Sequence, residues 1–170
     1  LSVRADYVSP SGAFARVAAF DGVAGDPDHP NRTSLRLDRD DGALLIAEVG
    51  AAREGAWRKV ALGAWGYTEQ FDRIDGLSRA SSYGAYVIAE RGWTDRVGTY
   101  VRLGWANPDV HQTGVAWAAG LVSSGWRVRP DDEVGLGIAA AHNTARYLRV
   151  LRLVGDAADR AEYALYGGVR

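Results

Sequence analysis

Thr113-Gly-Val-Ala-Trp-Ala-Ala-Gly-Leu-Val122 alternates with a period of two. Val115, Trp117, Ala119 and Leu121 fall on one side, and Gly114, Ala116, Ala118 and Gly120 on the other. This is the period of a β-strand, whose successive side chains point to opposite faces. The second side is unusual. The outer surface of a soluble domain normally carries Lys, Glu, Thr and Ser, whereas Gly and Ala suit a crowded or constricted interior.

The same alternation recurs along the chain. Residues 1–7 set Leu1, Val3, Ala5 and Tyr7 against Ser2, Arg4 and Asp6. Residues 13–20 set Ala15, Val17 and Ala19 against Arg16. Residues 43–50 set Leu45, Ala47 and Val49 against Glu48. Residues 58–67 set Val60, Leu62 and Ala64 against Lys59, Ala61 and Gly63. Residues 82–90 set Tyr83, Ala85, Val87 and Ala89 against Gly84 and Glu90. Residues 98–105 set Thr99, Val101, Leu103 and Trp105 against Gly98, Arg102 and Gly104. Residues 134–141 set Val134, Leu136, Ile138 and Ala140 against Gly135, Gly137 and Ala139. Residues 161–169 set Ala161, Tyr163, Leu165 and Val169 against Glu162 and Ala164. The pattern predicts about nine strands of roughly 8–11 residues, near the length that crosses a bilayer at a tilt.

The connections differ in length. Residues 8–12, 51–55 and 92–97 read as tight turns, whereas 21–42, 68–81 and 143–160 read as long loops. Residues 107–112 and 123–133 are intermediate. Short turns at one end and long loops at the other are the habit of outer-membrane barrels. Aromatic residues fall near the strand ends: Tyr7, Trp57, Trp93 and Trp126 towards the tight turns, and Trp65, Tyr67, Tyr83, Trp105 and Trp117 towards the long loops. Trp117 and Trp126 are separated by roughly 30 Å along a strand. At a tilt near 40° that projects to about 23 Å, the height of an apolar band between aromatic girdles.

Composition agrees. The chain has 170 residues, 21 of them Gly and only 5 Pro, which leans away from helix. It has no Cys, which excludes disulfides and thiolate metal sites. The formal net charge of −1 gives no basic balance to call for nucleic acid. Mean hydropathy is −0.19, with no apolar run long enough for a membrane-spanning helix; alternating barrel strands average to such a neutral value. The first residue is not Met, and both ends sit within strand-like patterns. The chain is therefore expected to be a single domain over residues 1–170, part of a larger barrel truncated at both ends.

Several stretches resemble the carbohydrate-selective porins of the OprB type. They are Asp41-Gly-Ala-Leu-Leu-Ile-Ala-Glu48, Leu62-Gly-Ala-Trp-Gly-Tyr-Thr-Glu-Gln-Phe-Asp72, Ser82-Tyr-Gly-Ala-Tyr-Val-Ile-Ala-Glu90 and, most specific, Arg129-Pro-Asp-Asp-Glu-Val-Gly-Leu-Gly-Ile-Ala139. Phe20-Asp-Gly-Val-Ala-Gly-Asp-Pro27 and Asp159-Arg-Ala-Glu162 add to the likeness, which spans nearly the whole chain. The resemblance implies an all-β fold, an antiparallel transmembrane β-barrel of the porin type with about 16 strands when complete. This chain supplies a partial barrel of about nine. It also implies passive diffusion of small sugars across a bacterial outer membrane, contact with outer-membrane lipid, no catalysis and no cofactor. Oligomeric state stays open.

A sugar offers hydroxyls and weakly apolar ring faces. A passive pore needs polar groups that exchange hydrogen bonds with the hydroxyls and aromatic faces for stacking, with binding weak enough for release. Arg16, Glu48, Lys59, Glu90, Arg102 and Glu162 are the expected pore-lining residues; their mixed signs suit neutral solutes. Arg and Glu on neighbouring strands can equally pair and stiffen the wall. Asp131 and Asp132 follow Pro130 and read as turn formers rather than a carboxylate pair. Asp26, Asp28 and His29 offer oxygen and nitrogen donors in a long loop, without the Gly-spaced pattern of a Ca²⁺ loop. His142 has no nucleophile motif beside it, and Gly135-Leu-Gly137 precedes no helix. No metal site is expected. The rival readings are a non-conducting outer-membrane barrel or sugar-binding β module, and a soluble β domain.

Overall fold

The computed structural model describes residues 2–22, 42–53, 58–126, 129–157 and 159–170. These form one nine-stranded sheet: β1 (Ser2–Val8), β2 (Ala13–Asp21), β3 (Ala43–Arg53), β4 (Arg58–Asp72), β5 (Arg79–Gly92), β6 (Val97–Ala106), β7 (Thr113–Trp126), β8 (Arg129–Asn143) and β9 (Ala161–Val169). Strand order follows sequence order, and every neighbouring pair is antiparallel. Among the described residues β1 does not pair with β9, so the sheet is open and no closed barrel is formed.

Register carries the alternation from strand to strand. Ala5 opposes Val17, Val17 opposes Ala47 and Ala47 opposes Ala64. Leu62 opposes Val87, Val87 opposes Leu103 and Leu103 opposes Trp117. Ala119 opposes Ile138, which opposes Leu165. The apolar sets of all nine strands therefore share one face. That face is bare: Leu62 is 56% exposed, Leu103 48%, Leu136 62% and Leu165 84%. Among the described residues no large side chain is fully buried. Leaving such side chains in water forgoes about 1.5–3 kcal/mol each. This single layer needs an apolar medium against one side.

The tight turns gather at one end. Gly12 turns the chain with φ +85°, and a Cβ there would stand 2.2 Å from the Ala52 carbonyl oxygen. Trp126 pairs with Arg129, so β7 and β8 are joined through residues 127–128. Strand pairing thus extends into the intermediate connection expected over 123–133. Asp131 and Asp132, expected as turn formers, lie inside β8 because the strand starts at Arg129. The other end carries residues 73–78, 107–112 and 144–160. The last of these, expected as a loop, holds helix α1 (Ala145–Leu153). The long connection with Asp26, Asp28 and His29 lies outside the described residues.

Candidate functional site

The second face carries charges seated among glycines. Glu48, near the middle of β3, is its hub. Arg16 Nη1 lies 3.2 Å from Glu48 Oε1, Lys59 Nζ 3.8 Å from the same oxygen, and the Tyr86 hydroxyl donates to Oε2 at 2.9 Å. Register sets this up, since Arg16 directly opposes Glu48 across β2 and β3. The chain of charges continues towards β1. Arg16 Nε is 2.9 Å from Asp6 Oδ1, and Arg4 Nε donates to Asp6 Oδ2 at 2.6 Å. Arg16 also stacks on Phe14, its Cζ 4.4 Å from the ring centroid.

The glycines on this face have a shared task. Phe14 opposes Gly50, Trp65 opposes Gly84, Tyr86 opposes Gly63, Tyr100 opposes Gly120 and Tyr166 opposes Gly137. In each pair the ring lies over the glycine: a Cβ on Gly63 would stand 2.1 Å from Tyr86 Cζ, on Gly120 2.6 Å from Tyr100, and on Gly137 2.2 Å from Tyr166. The missing Cβ lets the aromatic side chain lie along the wall rather than stand away from it.

Of the six residues expected from sequence, all fall on this face, but not in one cluster. Arg16, Glu48 and Lys59 meet directly. Glu90 and Arg102 form a looser pair, 4.0 Å apart, with Arg102 Cζ 5.7 Å from the Tyr100 ring. Glu162 stands apart and exposed on the edge strand β9. Between Arg102 and Glu162 a depression of about 600 Å³ is floored by Gly104, Ala116, Ala118, Ala139 and Ala141. Asp6, Tyr86 and the other ring residues were missed. Their signal, an aromatic opposite a glycine, exists only once strand register is known.

Part of the expected aromatic girdle lies on the apolar face. Tyr83, Trp105, Trp117 and Tyr163 lie on the apolar face towards the long-loop end, and Tyr7 on the same face near a tight turn. Trp65 and Tyr67 do not belong to it. They oppose Ile46 and Leu44 on the charged face, and Trp65 meets His111 edge-on at 5.4 Å. Trp57 and the ring of Trp126 fall outside the described residues. His142 sits on the apolar face, accepting from Trp117 Nε1 at 3.3 Å and edge-on to Tyr163.

At the long-loop end, polar contacts tie three connections together. Arg146 of α1 pairs with Asp75 and, at 3.0 Å, with Asp109; Arg73 reaches Asp109 at 2.9 Å. Thr144 caps the helix, its Oγ1 accepting from Tyr147 N. Its backbone N–H donates to Gln112 O. His111 Nε2 is 2.9 Å from Ser82 Oγ, and burial holds its imidazole below the usual pKa. The backbone N–H of Leu77, followed by the Arg146 guanidinium, holds Asp75 below the usual carboxylate range. Among the described residues no group of three or more His, Cys, Asp or Glu side chains is placed to hold a metal ion.

Comparison with known proteins gives two matches. A family model described as "Carbohydrate-selective porin, OprB family" matches residues 1–165. A solved structure, titled "High pH structure of Pseudomonas putida OprB", is similar with a TM-score of 0.78 at 20% identity, covering 98% of this chain and 49% of that one. This chain thus spans about half the length of that solved relative. No curated protein matches.

Proposed function

The chain belongs to the carbohydrate-selective porin, OprB family, and from that premise we propose that it forms part of a transmembrane β-barrel through which small carbohydrates diffuse passively across a bacterial outer membrane. The observation that carries the reading is the division of one sheet into an exposed apolar face, suited to lipid, and a face of charges and flat-lying rings, suited to a pore. Arg16, Glu48, Lys59, Glu90, Arg102 and Glu162 line the passage and exchange hydrogen bonds with sugar hydroxyls. Tyr86, Tyr100 and Tyr166 offer their ring faces to the C–H faces of the sugar. Existing ion pairs keep the contacts at Arg16, Glu48, Lys59, Glu90 and Arg102 weak, because a hydroxyl must compete with a charged group already in place. Helix α1, bound to the neighbouring loops, narrows the outer mouth.

Liposome swelling with the full-length protein tests this. Monosaccharides should enter faster than amino acids of similar size, and Arg102→Ala should change sugar flux while leaving the β signal in far-UV circular dichroism intact. Arg102 suits the test because its side chain is 62% exposed. Equal swelling with both solutes would remove the selectivity. No swelling after verified insertion would favour the non-conducting, sugar-binding barrel.

A further inference from the structure

At the tight-turn end the apolar face ends in a row of arginines. Arg53 opposes Arg58 across β3 and β4, and Arg58 opposes Arg91 across β4 and β5. Strand spacing sets the three side by side at steps of about 4.8 Å. They share a face with Ala51, Val60 and Ala89, two positions nearer the turns. Lys59 and Glu90, which intervene in sequence, belong to the opposite face. Like charges set directly opposite one another repel, and among the described residues no carboxylate forms an ion pair with any of the three.

Within the row, Arg91 is held in place. The Arg91 guanidinium stacks on Trp93, its Cζ 4.2 Å from the ring centroid. Trp93 Nε1 in turn donates to Thr99 Oγ1 at 2.9 Å, and Thr99 is the residue opposing Arg91 on β6. From this row a groove of about 450 Å³ runs towards the middle of the sheet, between Val60 and Val101 and over the small side chain of Ala89.

We propose that this is a binding site for one anionic glycerophospholipid, with its phosphate on Arg58 and Arg91, flanked by Arg53 and Thr99, and an acyl chain in the groove over Ala89. Three cations without an ion pair among the described residues select an anion. The hydrocarbon-lined groove that opens from them selects an amphiphile over free phosphate. Tight turns lie on the periplasmic side of such barrels, so the row sits at headgroup depth in the leaflet facing the periplasm. The proposal rests on the reading that the apolar face meets lipid.

Native mass spectrometry of the full-length protein in non-ionic detergent, with equimolar dioleoyl phosphatidylglycerol and dioleoyl phosphatidylcholine, tests it. Two arginines acting on one headgroup should give about a thirtyfold preference for phosphatidylglycerol. The preference should vanish in R58Q/R91Q, persist in R58K/R91K and weaken in Ala89→Leu, which fills the groove. Equal retention of the two lipids by the unaltered protein would overturn the proposal without recourse to any variant. A preference untouched by Ala89→Leu and abolished by inorganic phosphate would overturn it in favour of a free-anion site. If the protein stays monodisperse without detergent and retains neither lipid, the membrane reading itself fails and takes this site with it. A detergent-requiring protein with no lipid preference loses only the site.

Discussion

Gly63 and Gly168 look alike in sequence but differ in what surrounds them. A Cβ on Gly63 would meet the ring of Tyr86, whereas one on Gly168 would meet nothing within 4 Å. Gly63→Ala should therefore cost about 1–3 kcal/mol, as overpacking does, because Tyr86 must leave both its seat and its hydrogen bond to Glu48. Gly168→Ala should be close to neutral. Urea unfolding of the full-length protein in detergent checks the pair. The charged residues were legible one by one, since each stood alone on a Gly- and Ala-rich strand face. Which of them meet was not legible. Arg16 finds Glu48 across 32 residues of sequence, and only the pairing of β2 with β3 reveals it. For the same reason Glu162 looked equivalent to the others, yet it stands apart on β9.

Strands were easier to read than the segments that join them. The apolar and polar sides assigned to all nine strands survive in the register, because a slip of one residue would turn a whole strand inside out. Strand ends were not legible: β4, β5, β7 and β8 run several residues past the point where alternation weakens, held by hydrogen bonds to their neighbours. Helix α1 was missed, although Thr144 caps it, Leu148 anchors it and Gly155 closes it with φ +82°. Its arginines obscured its apolar positions, and it is steadied by loops distant in sequence. The loop cluster around α1 has a signed pH response. His111 binds protons more weakly folded than unfolded, so its contribution is full above the ordinary imidazole pKa of about 6.5 and falls as pH drops through that value towards the folded one. Asp75 acts lower. Its contribution is present above about 3.9 and is lost as pH falls through its depressed folded value. Hydrogen exchange, corrected for intrinsic rates, should show α1 and residues 107–112 loosening between pH 7.5 and 5 while the mid-strand amides hold. His111→Gln should abolish that difference, and Asp75→Asn should leave it in place.

Taken together, the nine strands make a wall in which, among the described residues, no large side chain is fully buried. Leu62, Leu103, Leu136 and Leu165 lie bare on one side, while the buried polar residues Ser82, Asn107 and Thr144 gather where the loops meet. A soluble domain with this surface would aggregate. The full-length protein should therefore be monodisperse only with detergent or lipid, and light scattering across the critical micelle concentration measures it. A dispersed, folded protein well below that concentration would return the soluble β reading to favour. The strand order has a consequence of its own. Among the described residues each strand pairs only with its neighbours in sequence, so growth requires no rethreading. A lineage can lengthen or shorten this wall by whole hairpins, and a nascent chain can zip each hairpin onto the last. The width of the sheet then becomes a countable quantity, set two strands at a time.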